Sequence, residues 1–366
     1  MANRTTKRKS KTKKRSNKRG VKNPKVNESP ESKRTKTKAA TPPIIQPTPA
    51  ISIPKPDKKW AGEVAAKKFL DNADFKKAST EFENIEKMTV DVDKQCKIWK
   101  SKAKLCESDY PILDKNMVQL ESGYVNISEI TLPCVRNVFI GQLPKDSEES
   151  FWRFVYEKQA RSIHILVGNE DTNFFPQKTE DFRTYGEMWL NNRKTEIPND
   201  DITKYHIEVL PNGNSNSIIS TITVMKNWSP GMIHAKNAIV MKECYELNQF
   251  LTEAPADENV LIVSQHGAGR AGTFLALSMA VLMLNQNVEP IISEIVRNLR
   301  RQRPKAVETL SQYSSIYVVM FYFIKKKMTA SEDKMDPFVK KSVALTNAFI
   351  RSIISISTTT STIQEK

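Results

Sequence analysis

From Trp60 onward, apolar residues recur along the chain at two periods. Residues 61–107 carry helix-like spacing, as in Phe75, Phe82 and Ile85. Runs of β-branched and apolar residues at RSIHILV (161–167), YHIEVL (205–210), SIISTITVM (217–225) and VLIV (260–263) predict strands. Helical periodicity surrounds them at 149–159, 235–251, 273–286, 291–302 and 312–327. One further helix is expected near 336–352, followed by a frayed Ser/Thr-rich end. Before Trp60 neither period is present. KRKSKTKKRSNKR (7–19) is a basic block and TPPIIQPTPAISIPKP (41–56) is rich in proline. Such a composition buries too little apolar surface to offset its chain entropy, so residues 1–59 are expected to be a disordered arm. The organisation read from this pattern is the arm (1–59), one mixed α/β or α+β domain (60–328) and a C-terminal helix and tail (329–366).

Charge sharpens the first boundary. The 366-residue chain has 57 Lys and Arg against 41 Asp and Glu, a net charge of +16. Nineteen of the basic residues and three of the acidic ones precede Trp60, so the arm carries the whole excess and the remainder is neutral. The arm is read as a candidate partner for a nuclear import receptor, nucleic acid or an anionic surface. No aromatic residues interleave with its basic ones, which argues against specific single-strand recognition.

Cys96, Cys106, Cys134 and Cys244 are scattered without metal-ligand spacing, which suits a reducing compartment and implies neither a disulfide framework nor a metal. No cofactor is implied either. The runs FLALSMAVLML (274–284) and IYVVMFYFI (316–324) are too short to span a bilayer, and the N-terminus has no apolar leader segment. A cytoplasmic and/or nuclear location is the expectation.

The stretch VLIVSQHGAGRAGTF (260–274) concentrates the chemistry. A buried strand delivers a glycine-rich turn into the start of an apolar helix. Glycines clear side chains, so that backbone N–H groups converge on an anion beside the positive end of the helix dipole. Arg270 adds a guanidinium suited to phosphate oxygens. Gly267, Gly269 and Gly272 match G-x-G-x-x-G, but a dinucleotide site needs an acidic residue about 20 positions on at the end of a second strand. Here Glu289 and Glu294 fall at or within a helical segment, and a Walker pattern is absent because no G-K-[ST] follows. An oxyanion cradle is what remains.

Four separated motifs stand around that cradle: YVNIS (124–128), FIGQLP (139–144), ESFWRFVYE (149–157) and VRNLRRQRPKAVETLSQY (296–313). Their order and content resemble the protein tyrosine phosphatase family, of the receptor and cytosolic phosphotyrosine-specific type, from about Glu63 to Lys327. The resemblance implies a twisted mixed central sheet flanked by helices, with the cradle at the end of strand 260–263. It implies phosphotyrosine-containing or other signalling proteins as partners.

At the chemical positions the sequence departs from the family pattern. The resemblance puts a nucleophilic cysteine at Ser264, with the phosphate-binding loop running Ser264, Gln265, His266, Gly267, Ala268, Gly269 and Arg270. A cysteine thiol near pKa 8.5 is lowered several units by a helix N-terminus and cations, whereas a serine hydroxyl starts far higher. NWSPGMIHAKNA (227–238) resembles the mobile loop that carries the general acid, yet Pro230 holds the acid's place. General-acid catalysis contributes about 10²–10⁴-fold. Glu308 replaces the first of two water-positioning glutamines and Gln312 keeps the second. Val118, in KNMV (115–118), stands where the family has its substrate-stacking tyrosine.

These substitutions support a catalytically inactive family member that binds phosphotyrosine or partners through the retained cradle. Two alternatives stay open. One is an active phosphatase with atypical residues. The other is an interaction scaffold that no longer binds phosphate and works through its surfaces and basic arm.

Overall fold

Four short helices come first in the computed structural model, which describes residues 60–106, 110–133, 136–329 and 336–364. They are α1 (Glu63–Asn72), α2 (Phe75–Glu86), α3 (Val92–Gln95) and α4 (Lys97–Cys106). Asp74 caps α2 by accepting from the Lys77 amide at 2.8 Å. The basic arm expected over 1–59 lies outside the described residues.

A 3₁₀ turn (Asp114–Asn116) leads into β1 (Ile127–Ile130) and β2 (Val138–Gln142), and α5 (Glu148–Glu157) then leads to β3 (Ala160–Leu166). Next come β4 (Phe182–Tyr185), β5 (Met188–Asn199), β6 (Ile202–Pro211) and β7 (Ile218–Met225). After α6 (Asn237–Glu253) the chain returns through β8 (Asn259–Ser264) and continues as α7 (Gly269–Asn285), α8 (Ile292–Arg300), α9 (Leu310–Met328) and α10 (Pro337–Gln364).

The strands form one eight-stranded mixed sheet in the order β1-β2-β8-β3-β7-β6-β5-β4. Pairs β2–β8, β8–β3 and β3–β7 are parallel and the outer pairs are antiparallel. Strand β8 is an unbroken apolar run because helices cover both faces of the sheet. Its alternate residues face opposite layers. Val260 and Ile262 join a core with α7 and α9, while Leu261 and Val263 join a second core with Phe151, Trp152 and Phe154 of α5. Almost every residue of α7 is buried, as expected of a helix that is apolar all round. Helix α9 starts in a capping box, with the Thr309 hydroxyl accepting from the Gln312 amide at 3.1 Å.

The fold agrees with the mixed, helix-flanked sheet expected from the sequence. Strands β1, β2, β4 and β5 had no hydrophobic period strong enough to predict them. β5 shows why: MWLNNRKTEIPN is largely polar and partly exposed along its second half, and pairing with β6 rather than burial holds it. The expected fraying after residue 352 is also corrected. Phe349 and Ile353 pack into the core beside α9, and α10 stays helical to Gln364.

Candidate anion-binding site

Parallel strands β2, β8 and β3 end together, and the segment from Ser264 to Arg270 curls over their C-terminal ends, where α/β sheets place ligands. Ser264, the last residue of β8, pairs with Gln142 and Leu166 and is 2% exposed. Its carbonyl accepts from the Leu143 and Gly267 amides, each at 3.0 Å, which closes the turn. Gly267 has φ +62°, and a Cβ there would stand 2.4 Å from the Gly141 carbonyl carbon. Only glycine meets both conditions. Gly269 and Gly272 are limited by contact alone, the first by Glu308 and Gln312, the second by Ala306 and Val307.

Arg303 fixes the loop from behind. Fully buried, it donates from Nε to Gly267 O (2.8 Å), and from Nη2 to His266 O (2.9 Å) and Asn126 Oδ1 (2.8 Å); Nη1 donates to Ser128 Oγ at 3.2 Å. Burial pulls its pKa down to about 10, which leaves it charged at neutral pH. In a trans peptide the N–H opposes the C=O, so tying Gly267 O to Arg303 turns the Ala268 N–H the other way, into the bowl. The first amides of α7 have no acceptor within the helix and add to the same donor set.

Arg270 is 4% exposed at the start of α7. Glu170 meets it with both carboxylate oxygens, one at 3.1 Å, and Trp228 O accepts from Nη1 at 2.8 Å. Gln265 Oε1 lies at 3.4 Å from Nη2, the longest of these contacts. Burial raises the Glu170 carboxyl, but hydrogen bonds from Arg270 and from backbone amides outweigh it and hold the pKa below the ordinary value. Glu170 is therefore an anion at neutral pH, not an acid with a proton to give.

Glu308 and Gln312 approach the loop from the start of α9. Gln312 Oε1 accepts from the Glu308 amide at 2.8 Å, while its Nε2, fully buried and with no hydrogen-bond partner, stands 2.9 Å from where a Gly269 Cβ would be. Glu308 Oε2 stands at the same 2.9 Å from that point, and Oε1 accepts from the Tyr110 hydroxyl. The Tyr110 ring stacks on His266, with centroids 4.3 Å apart and planes 9° from parallel. Lys305 Nζ lies 4.6 Å over the same ring.

Two cavities flank the loop and share Glu170 and Gln265. One of about 480 Å³ reaches His266, Leu143 and Phe174; the other, about 460 Å³, reaches Ser229 and Pro230.

The structure thus brings together residues 264–270, Pro230, Glu308 and Gln312. Val118 is buried in the second core, in the cluster that holds Val125, Ile127 and Phe139. His234, the only imidazole in the segment of Pro230, is 1% exposed. Its Nδ1 accepts from the Lys236 amide at 3.0 Å and its Nε2 lies 3.7 Å from Asp201. Burial holds its pKa down, so it serves the loop's structure. Of the cysteines with described side chains, Cys96 and Cys244 are buried away from the loop, their thiols pushed up to about 11 and about 12.

Glu170, Arg303 and Tyr110 escaped the sequence reading. Arg303 lay in a quoted motif, and only its total burial reveals its task. Glu170 is 100 residues from its partner, and no local pattern signals it.

The family model described as Protein-tyrosine phosphatase matches residues 101–322. The Caenorhabditis elegans protein named "Putative tyrosine-protein phosphatase B0280.11" is 30% identical over 65% of this chain and 57% of its own length. A second from the same organism, "Putative tyrosine-protein phosphatase C15H7.3", is 26% identical over 75% of this chain and 70% of its own. The chain therefore spans little more than half of the first relative. Among solved structures, the Trypanosoma cruzi protein tyrosine phosphatase TcPTP1 is similar with a TM-score of 0.61 at 15% identity, covering 70% of this chain and 96% of that one. The structure titled for the PTPN18 fingerprint on HER2 tyrosine phosphorylation sites gives 0.59 at 19% identity, covering 71% and 99%. Both agree with this chain in fold.

Proposed function

The chain belongs to the protein-tyrosine phosphatase family, and on that premise we propose that it binds phosphotyrosine-bearing proteins without hydrolysing them. The observation that carries the binding half is Gln312 Nε2, a buried donor with no acceptor, set against the loop whose amides Arg303 turns inward. Buried donors in native proteins are satisfied with few exceptions, and an oxyanion in the loop would accept from both. Arg270, oriented by Glu170, would exchange its long contact to Gln265 for a phosphate oxygen.

The loss of hydrolysis rests on the floor and the flank of the site. Ser264 offers a hydroxyl where a thiolate would be needed, and among the described residues no base is bonded to it. Pro230 and its neighbours Ser229 and Gly231 bring no acid to the adjoining cavity. Glu170 lies there but is committed as an anion to Arg270. The 1–59 arm is proposed to direct the protein to the nucleus or to a second partner, which deletion of residues 1–40 tests by altered localisation.

Titrating the full chain with a phosphotyrosine peptide and its unphosphorylated form is the deciding experiment. The phosphopeptide binds more tightly, Arg270→Lys removes the preference, and an aryl phosphate is not turned over. Equal binding of the two peptides would refute the proposal. Turnover abolished by Ser264→Ala would refute its non-hydrolytic half.

A further inference from the structure

Asp201 sits in the turn between β5 and β6 and is 2% exposed. A carboxylate buried this deeply needs partners, and those of its side chain all belong to one stretch of chain. Oδ1 accepts from Asn227 Nδ2 at 2.9 Å and Oδ2 from Lys236 Nζ at 2.5 Å. The Asp201 carbonyl accepts from the Lys226 amide at 2.8 Å. His234 Nε2, buried and without a hydrogen bond, lies 3.7 Å from Oδ1. One residue thus grips both ends of segment 226–236, which lines the second cavity through Asn227, Ser229 and Pro230. Between the ends, Thr309 Oγ1 donates to Gly231 O at 2.6 Å and Trp228 Nε1 to Met232 O at 2.7 Å. Trp228 is fully buried, and its carbonyl accepts from Arg270 Nη1 at 2.8 Å.

We propose that Asp201 is a positioning residue for Arg270: its buried carboxylate pins both ends of segment 226–236 and so fixes the Trp228 carbonyl that orients the guanidinium. The role of Arg270 toward a ligand rests on the phosphotyrosine-binding reading above; the pin itself does not. A lid moves by changing the backbone angles of a few residues at its ends, and here those residues are the ones bonded to Asp201. Asn227 shows the constraint directly, because it holds φ +60°, a region asparagine tolerates, while its side chain reaches Oδ1. The segment is therefore a fixed wall, and a ligand meets a site already shaped, with little ordering left to do on binding. Glu170 grips the same guanidinium with a side chain that can follow it. The Trp228 carbonyl is backbone and moves only with its segment. Lys236 is largely exposed while Asp201 is not, so releasing the lysine leaves a buried charge with Asn227 alone to answer it, which favours the pinned state.

The experiment pairs hydrogen exchange of the full chain, read by mass spectrometry, with fluorescence anisotropy of a labelled phosphotyrosine peptide. The proteins are wild type, Asp201→Ala, Asn227→Gly and Lys236→Met, with thermal melts to confirm folding. The last two each release one end, glycine keeping the positive φ open, and they carry the test if Asp201→Ala does not fold. Each charge-assisted hydrogen bond lost raises local opening about tenfold. Amides of 226–236 should therefore exchange about tenfold faster in the single-end variants and about a hundredfold faster in Asp201→Ala. From a wild-type open state of about 1–10%, that shift weakens phosphopeptide binding by Asp201→Ala about two- to tenfold. On an Arg270→Lys background the same substitution has no further effect on binding. If Asp201→Ala exchanges in 226–236 as slowly as wild type, the pin is overturned. If exchange rises there but phosphopeptide affinity holds, or falls equally on the Arg270→Lys background, the positioning role is overturned. If no protein distinguishes the phosphopeptide from its unphosphorylated form, the cradle reading fails and the positioning role with it, while exchange alone still decides the pin.

Discussion

Arg303 donates from Nε to Gly267 O across 2.8 Å, tying the connection after α8 to the middle of the loop that ends β8. Two distant parts of the chain thus share one buried cation, and the loop's curvature depends on it. Replacing Arg303 by Met strands four acceptors, two of them loop carbonyls. Each buried group left unsatisfied costs about 1–3 kcal/mol, so a loss of roughly 3–5 kcal/mol is expected, read from urea unfolding midpoints. Phosphopeptide binding should be lost in the folded remainder of the variant, since the Ala268 amide is then free to turn.

Gly267 gives a narrower test of the same geometry. Gly267→Ala places a Cβ within 2.4–2.7 Å of Gly141 and Gln142 backbone atoms at φ +62°. Neither β2 nor the loop can retreat without breaking the parallel pairing with β8. The variant should lose about 2 kcal/mol or more from strain and overlap. Gly213→Ala, also at positive φ but with nothing within 4 Å of the added Cβ, is the control. It should cost about 1 kcal/mol, the φ penalty alone.

Glu170→Gln isolates the ion pair with Arg270. The Glu170 carboxyl is held below its ordinary value, so its contribution to stability is present above about pH 4.5 and is lost as pH falls through the folded value. Urea midpoints of the wild type should therefore fall on acidification, and the variant's should fall less. At neutral pH the variant should be less stable, because Arg270 stays buried with its charge uncompensated.

How far the sequence could be read follows from what kind of order each part requires. The strand β8, the glycine loop and α7 are contiguous, and burial on both faces leaves its mark as an apolar run that local inspection finds. Residues 264–270, with Glu308 and Gln312, came from one resemblance and lie together in the structure. Val118, named by the same resemblance, packs in the core with Ile127 and Phe139. Glu170 and Tyr110 reach the loop from about 100 and 156 positions away, through packing of whole elements that no local period encodes. β4 and β5 were illegible for a related reason, since backbone pairing at a sheet edge asks little of the side chains.

Glu243, on α6, carries the clearest pH signature in the scaffold. Its side chain is fully buried, neither carboxylate oxygen has a hydrogen-bond partner, and Lys204 Nζ is 3.9 Å away. Burial pushes its pKa up to about 7, with Glu246 adding to the rise and Lys204 and Lys242 opposing it. A carboxyl raised in this way holds its proton more tightly folded than unfolded. Its contribution is whole below about pH 4.5 and is lost as pH rises through about 7. Glu243→Gln stays neutral throughout, so it should match the wild type near pH 5 and exceed it at pH 8 by roughly 2–3 kcal/mol. His164, which also feels Lys204 and Glu246, is pushed by burial down to about 4 and acts with the opposite sign, losing stability as pH falls below about 6.5. Because His164 is present in both proteins, the difference between their urea midpoints at each pH isolates Glu243. A difference that does not change between pH 5 and pH 8 would show that Glu243 is already ionised in the folded chain across that range.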